Sequence, residues 1–194
     1  GPDIDGKAIA ALFEKLDGLK DGDTLILAGS IPSSLPSDIY QRILERLSGK
    51  KIKTVVDATK ELLLNVLKYK PYLVKPNNHE LGEMFGVTLK TDEEIETYAR
   101  KLRDMGAVNV LISMAGDGAM LIDEYGKMHR CGVCRGTVKN SVGAGDSMVA
   151  GFIAGSLGGD YEYALKLGTA AGGATAFSDG LAAREKINEL LKTL

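Results

Sequence analysis

Four short strand-like runs, at residues 24–28, 53–57, 72–75 and 108–113, alternate with stretches of helical spacing, and this alternation constrains the chain most. Runs of four to six residues are too short for core helices, and as strands they suit a parallel sheet buried on both faces. The intervening stretches place apolar residues at helical intervals. Residues 4–19 carry Ile9, Leu12, Phe13 and Leu16, and residues 36–47 open with Pro36, suited to a first-turn position. Further helices are expected over 61–68, 79–85 and 92–105, the last with Thr91 as its N-cap. Residues 119–123 and 127–131, joined across Glu124-Tyr125-Gly126, read as a β-hairpin. Helical patterns over 146–157, 161–177 and 183–194 complete the chain. The fold class this predicts is α/β, layered, around a mostly parallel sheet. Ligands of such sheets gather at the carboxyl ends of the strands.

Composition narrows the function classes. With 194 residues and 44% apolar content, the chain can bury one good core, and a single domain is expected. Acidic and basic residues are interspersed around a net charge of −2, with no basic stripe that would suit nucleic acid. No apolar run reaches membrane-spanning length, and no leader-like pattern opens the sequence, so a cytoplasmic protein is expected. Gly1-Pro2 reads equally as native or as a protease-cleavage scar. Cys131 and Cys134 form one Cys-x-x-Cys pair on a strand-like segment, which lacks the second pair of a structural zinc site. His79 and His129 are separate, and ordinary surface or hydrogen-bonding roles are expected of them.

The chemistry concentrates in Asn140-Ser141-Val142-Gly143-Ala144-Gly145-Asp146-Ser147, where small residues run into an acid at the start of a helical pattern. A loop of small residues lets a ligand approach the main chain, and the free N–H groups of a helix N-terminus suit a phosphoryl group. Gly143, Ala144 and Gly145 are the expected donors, and Asp146 can take the proton of an attacking hydroxyl. The plainer alternative is a tight helix entry with Asp146 as the N-cap. Lys75-Pro76-Asn77-Asn78-His79-Glu80 follows directly on the strand 72–75. Asn77 and Glu80, three apart, can face one crevice and hold a water-rich Mg²⁺, or they can form a capping box. Residues 169–180 read as a helix rich in Ala and Gly, open to close approach by a nucleotide or by another helix. Neither a P-loop nor a Gly-x-Gly-x-x-Gly fingerprint is present.

Asn140-Ser141, Gly143-Ala144, Gly145-Asp146 and Ala150-Gly151 together resemble the second signature of the ribokinase-like (PfkB) carbohydrate kinases. The Asn-x-x-Glu of residues 77–80 and its preceding Lys-Pro resemble the same family. The resemblance implies a three-layer ribokinase-like sandwich, of which the chain is the nucleotide-binding and catalytic C-terminal two-thirds. The N-terminal strands and the lid would then be absent, and the piece alone would be inactive or poorly folded. It implies ATP-dependent phosphorylation of D-fructose 1-phosphate at its 6-hydroxyl, with tagatose 6-phosphate as the alternative acceptor. A non-catalytic nucleotide-binding module is the alternative of another class. ATP contacts are implied at Lys75, Asn77, Ser113, Ala115, Gly116, Gly118 and Gly145, where Ala115 replaces the first glycine of the family's nucleotide loop and Gly116 is shifted by one. Thr169, Gly172 and Gly173 would border the adenine, and Ser30, in Gly29-Ser30-Ile31-Pro32, would line the sugar site. Mg²⁺ would be held through water by Asn77 and Glu80. Main-chain oxygens near Val142, Thr175 and Gly180 would hold a monovalent cation such as K⁺. The partners implied are a sugar phosphate and ATP, with the full-length protein a homodimer.

Overall fold

The computed structural model describes residues 4–194, so Gly1 and Pro2 lie outside the described residues. The chain groups into two compact units, one up to Val110 and one from Leu111 to Leu194.

Strands β1 (Thr24–Ala28), β2 (Lys53–Asp57) and β3 (Leu73–Val74) belong to the first unit and β4 (Asn109–Ser113) begins in it and ends in the second; they follow in that order, each parallel to its neighbour. Helices α1 (Gly6–Asp17), α2 (Ile39–Arg46), α3 (Lys60–Val66), α4 (Asn78–Phe85) and α5 (Asp92–Asp104) are interleaved with them. The central strands are buried as the sequence predicts: Val55, Val56, Leu73 and Val74 are fully enclosed. Strand β1 differs. Only Leu27 of its five residues is buried, and Ile26 is 44% exposed, because β1 ends the strand order and has a neighbour on one side only among the described residues. Pro36 also lies elsewhere than expected. The chain turns over Pro36–Asp38, with the Ile39 N–H on the Pro36 carbonyl at 3.0 Å, and α2 begins only at Ile39. Thr91 caps α5 as expected, its side chain accepting from the Glu94 N–H while Glu94 accepts from the Thr91 N–H.

The second unit continues β4 into the antiparallel hairpin of β5 (Ala119–Ile122) and β6 (Met128–Cys131). Helices α6 (Ala144–Ser156), α7 (Tyr161–Ala176) and α8 (Arg184–Leu191) follow. The hairpin turn is organised by Asp123, whose carboxylate accepts from the N–H groups of Tyr125 and Lys127 and meets His129 Nε2 at 2.8 Å. Helices α6 and α7 pack through small residues. A Cβ at Gly155 would stand 2.6 Å from Ala164 Cα, and one at Gly168 would stand 2.9 Å from the Met148 carbonyl oxygen. Side chains cannot fit there, so glycines set the spacing of the two helices.

Candidate active site

The expected site residues divide between the two units. In the second unit, α6 begins two residues earlier than the pattern suggested, and Asp146 is therefore not its N-cap. That position belongs to Gly143, which takes φ +79°, a left-handed conformation that glycine adopts freely, and offers no side-chain cap. The turn before it is shaped by Asn140, whose side-chain oxygen accepts from the Val142 N–H at 3.0 Å. Of the expected donors, the Ala144 N–H is engaged by a long 3.2 Å bond to the Ser141 carbonyl. The N–H groups of Gly143, Gly145 and Asp146 have no acceptor among the described residues. Without a side-chain cap, this helix end presents unpaired donors at the positive pole of its dipole. Asp146 is the third residue of the helix, with its carboxylate exposed rather than turned into the core.

The loop after β4 follows a tight path. Ser113 ends β4, a 3-10 turn covers Ala115–Asp117, and Gly118 leads into β5. Gly118 takes φ +87°, and a Cβ there would stand 2.2 Å from the Cys131 carbonyl oxygen. Ala115 takes φ +46°. Although a glycine is replaced at this point, the backbone still follows the left-handed path that glycine favours. Ala115 and Gly116 are exposed.

Thr169, Gly172 and Gly173 are occupied with packing. Thr169 is buried, its hydroxyl donating to the Leu165 carbonyl and its own carbonyl accepting from Cys134 Sγ at 3.7 Å. A Cβ on Gly172 would meet the Ala144 carbonyl, and one on Gly173 would meet Cys134. Of the two approaches that the small residues of α7 allowed, the approach of other protein segments accounts for these glycines. Helix α7 ends at Ala176, so Gly180 lies beyond it. Burial pushes the Cys134 thiol up to about 11, and it raises Cys131 as well. Both are free and buried, a setting that makes thiols inert. Sequence reasoning gave Thr175 only a main-chain role, yet its hydroxyl donates to Ser147 Oγ and accepts from the Ala182 N–H. Two hydroxyls 28 residues apart leave no pattern in the sequence.

In the first unit, Asn77 and Glu80 form the capping box of α4. Asn77 Oδ1 accepts from the Glu80 N–H at 2.9 Å, and Glu80 Oε2 accepts from the Asn77 N–H at 2.8 Å. This arrangement does not displace a role towards ligands. Glu80 keeps Oε1 as an acceptor, and the Asn77 amide keeps Nδ2 as a donor, both on half-buried residues. Lys75 is 7% exposed and pairs with Asp57 at 3.3 Å. Ser30 is exposed in the turn that leaves β1, where Tyr40 Oη donates to the Ala28 and Gly29 carbonyls. Strands β1, β2 and β3 thus each bring polar residues to their carboxyl ends. Among the described residues, no three His, Cys, Asp or Glu side chains converge as a metal cage, and no helix is long and apolar enough to cross a membrane.

The model of the pfkB family of carbohydrate kinases matches residues 4–187. A 1-phosphofructokinase of Bacillus subtilis is 46% identical over 98% of the chain, and a D-tagatose-1-phosphate kinase of Bacillus licheniformis is 36% identical over 97%. A crystal structure from Staphylococcus aureus, provisionally named a phosphofructokinase, superposes with a TM-score of 0.91 at 40% identity over 99% of the chain. The chain spans 62–63% of the length of these three proteins. A family match across nearly its whole length makes the chain a member of the pfkB family of carbohydrate kinases.

Proposed function

We propose that the intact protein transfers the γ-phosphoryl group of ATP to the 6-hydroxyl of a ketohexose 1-phosphate, D-fructose 1-phosphate first. The observation that carries this reading is the first turn of α6, where an exposed Asp146 carboxylate shares a helix end with unpaired N–H groups. The name of the 46% identical relative supports the choice of acceptor.

Asp146 accepts the proton of the sugar 6-hydroxyl as that oxygen bonds to the γ-phosphorus; the bond from phosphorus to the β-phosphate oxygen breaks, and ADP leaves. The N–H groups of Gly143, Gly145 and Asp146 hold the equatorial oxygens as charge redistributes, with Ala144 joining if its long bond to Ser141 yields. Lys75 supplies a fixed positive charge to the nucleotide phosphates, and Ser113, Ala115, Gly116 and Gly118 form the nucleotide loop. Glu80 Oε1 and the second lone pair of Asn77 Oδ1 would accept from water molecules around a nucleotide-bound Mg²⁺, which keeps most of its hydration, while Asn77 Nδ2 would donate to a phosphate oxygen. When bound, that ion neutralises phosphate charge. Thr169, Gly172 and Gly173 back the adenine side through packing. Ser30 lines the sugar side, and main-chain oxygens near Val142, Thr175 and Gly180 remain the proposed seat for K⁺. Two buried free thiols agree with a reducing, cytoplasmic compartment.

A second acceptor, D-tagatose 1-phosphate, is favoured by the name of the 36% identical relative. It differs from fructose 1-phosphate only at C4 and presents the same 6-hydroxyl. The test is ADP release by the intact protein with fructose 1-phosphate, tagatose 1-phosphate and tagatose 6-phosphate. The expected result is the highest kcat/KM with fructose 1-phosphate. ATP binding without turnover on any sugar phosphate would instead mark a non-catalytic nucleotide-binding module.

A further inference from the structure

The carboxyl ends of β2 and β3 hold one ion pair, its lysine buried and its aspartate half-buried. In the parallel register Val56 lies opposite Val74, and the Lys75 N–H donates to the Val56 carbonyl, so Asp57 and Lys75 leave their strands at the same level. Their side chains meet, Lys75 Nζ to Asp57 Oδ2 at 3.3 Å, with the lysine side chain 8% exposed and the carboxylate 20%. The main chain of Asp57 is fixed from the other side too, since its carbonyl accepts from the Gly29 N–H and Ala28 lies opposite it in the register of β1. The Tyr40 phenol lies against the same cluster: burial pushes it up, and the Asp57 charge adds to the effect.

A lysine ammonium is a point charge on a flexible four-carbon stem, so its usefulness to a phosphate depends on what holds it in place. Burial makes a counter-charge necessary as well. We propose that Asp57 is a positioning residue, whose carboxylate fixes the Lys75 ammonium at the end of β3 in the orientation that phosphoryl transfer requires. One carboxylate oxygen engages one direction of the ammonium, and the remaining N–H donors stay available to phosphoryl oxygens. Asp57 therefore acts through Lys75 and touches neither ATP nor sugar. This inference rests on the kinase reading above.

The experiment is a double-mutant cycle on the intact protein, with Asp57→Asn, Lys75→Met and both together, following kcat, KM for ATP and Mg²⁺ dependence. Asp57→Asn should lower kcat by about 10- to 100-fold, with KM for ATP changed less than about threefold, as for a group lost from positioning rather than from binding. In a Lys75→Met background the same replacement should have no further effect on kcat, because its route of action is gone. A further drop there, or an Asp57→Asn defect abolished by raising Mg²⁺, would overturn the proposal in favour of an independent role. If Asp57→Asn does not fold with its lysine left unpaired, Asp57→Glu, which keeps the charge but displaces the carboxylate, takes its place in the cycle, with the same loss of kcat expected and the same outcomes overturning the proposal. A variant that melts lower but turns over at the wild-type rate shows a purely structural pair and also overturns the proposal. Lys75→Met with kcat intact would overturn this proposal alone, since turnover persists; failure of the kinase reading looks different, because the wild-type protein then releases no ADP and both readings fall.

Discussion

Asp123 shows how one side chain ties a turn to the conditions around it. Burial alone would raise its carboxyl, but His129 and the N–H groups of Lys127 and Tyr125 outweigh burial and hold it below the ordinary carboxylate range. A carboxyl depressed on folding contributes stability that is present above its unfolded value, about 3.9, and is lost as pH falls through the lower folded value. In urea titrations of the intact protein, the stability difference between wild type and Asp123→Asn should therefore be largest near pH 6 and shrink towards pH 3. A difference that does not change with pH would show that the charge of Asp123 contributes nothing. At this scale the sequence was legible where chemistry is local. The capping box of Asn77 and Glu80 follows from residues three apart, and the Thr91 cap from a threonine ahead of a helical pattern. It was silent on the Asp57–Lys75 pair, which only the register of two parallel strands brings together.

Among the elements, the strands and helices follow from apolar spacing almost throughout, and the departures have physical causes. Strand β1 carries the letters of a central strand yet ends the strand order among the described residues, because composition reports how a strand can be buried and not which neighbours it has. Helix α6 starts before its first acid because Gly143 in a left-handed conformation ends the turn there, and a φ value is not written in a Gly-Ala-Gly run. The glycines of α6 and α7 were readable as sites of close approach, but what approaches them was not. Packing supplies that answer and a prediction with it. Gly155→Ala places a methyl 2.6 Å from backbone atoms of α7, which cannot move aside as a side chain would. Destabilisation of about 1–3 kcal/mol is expected from such overpacking, read from the denaturant midpoint. An unchanged midpoint would mean that the helices are free to separate.

For the molecule as a whole, family membership and α/β architecture agree, while the chain spans 62–63% of the length of the relatives described above. Activity is therefore a property to measure on the intact protein. Within the first unit, Lys75, Asn77 and Glu80 follow the end of β3, and within the second, Asp146 lies on the first turn of α6. In the mechanism we propose, Asp146 on the first turn of α6 serves as the base. The direct test is Asp146→Asn in the intact protein, with kcat and the ATP dissociation constant measured side by side. Loss of the base should slow turnover on fructose 1-phosphate by about 10²–10⁴ while ATP binding stays close to that of the wild type. Turnover near the wild-type rate would contradict the account.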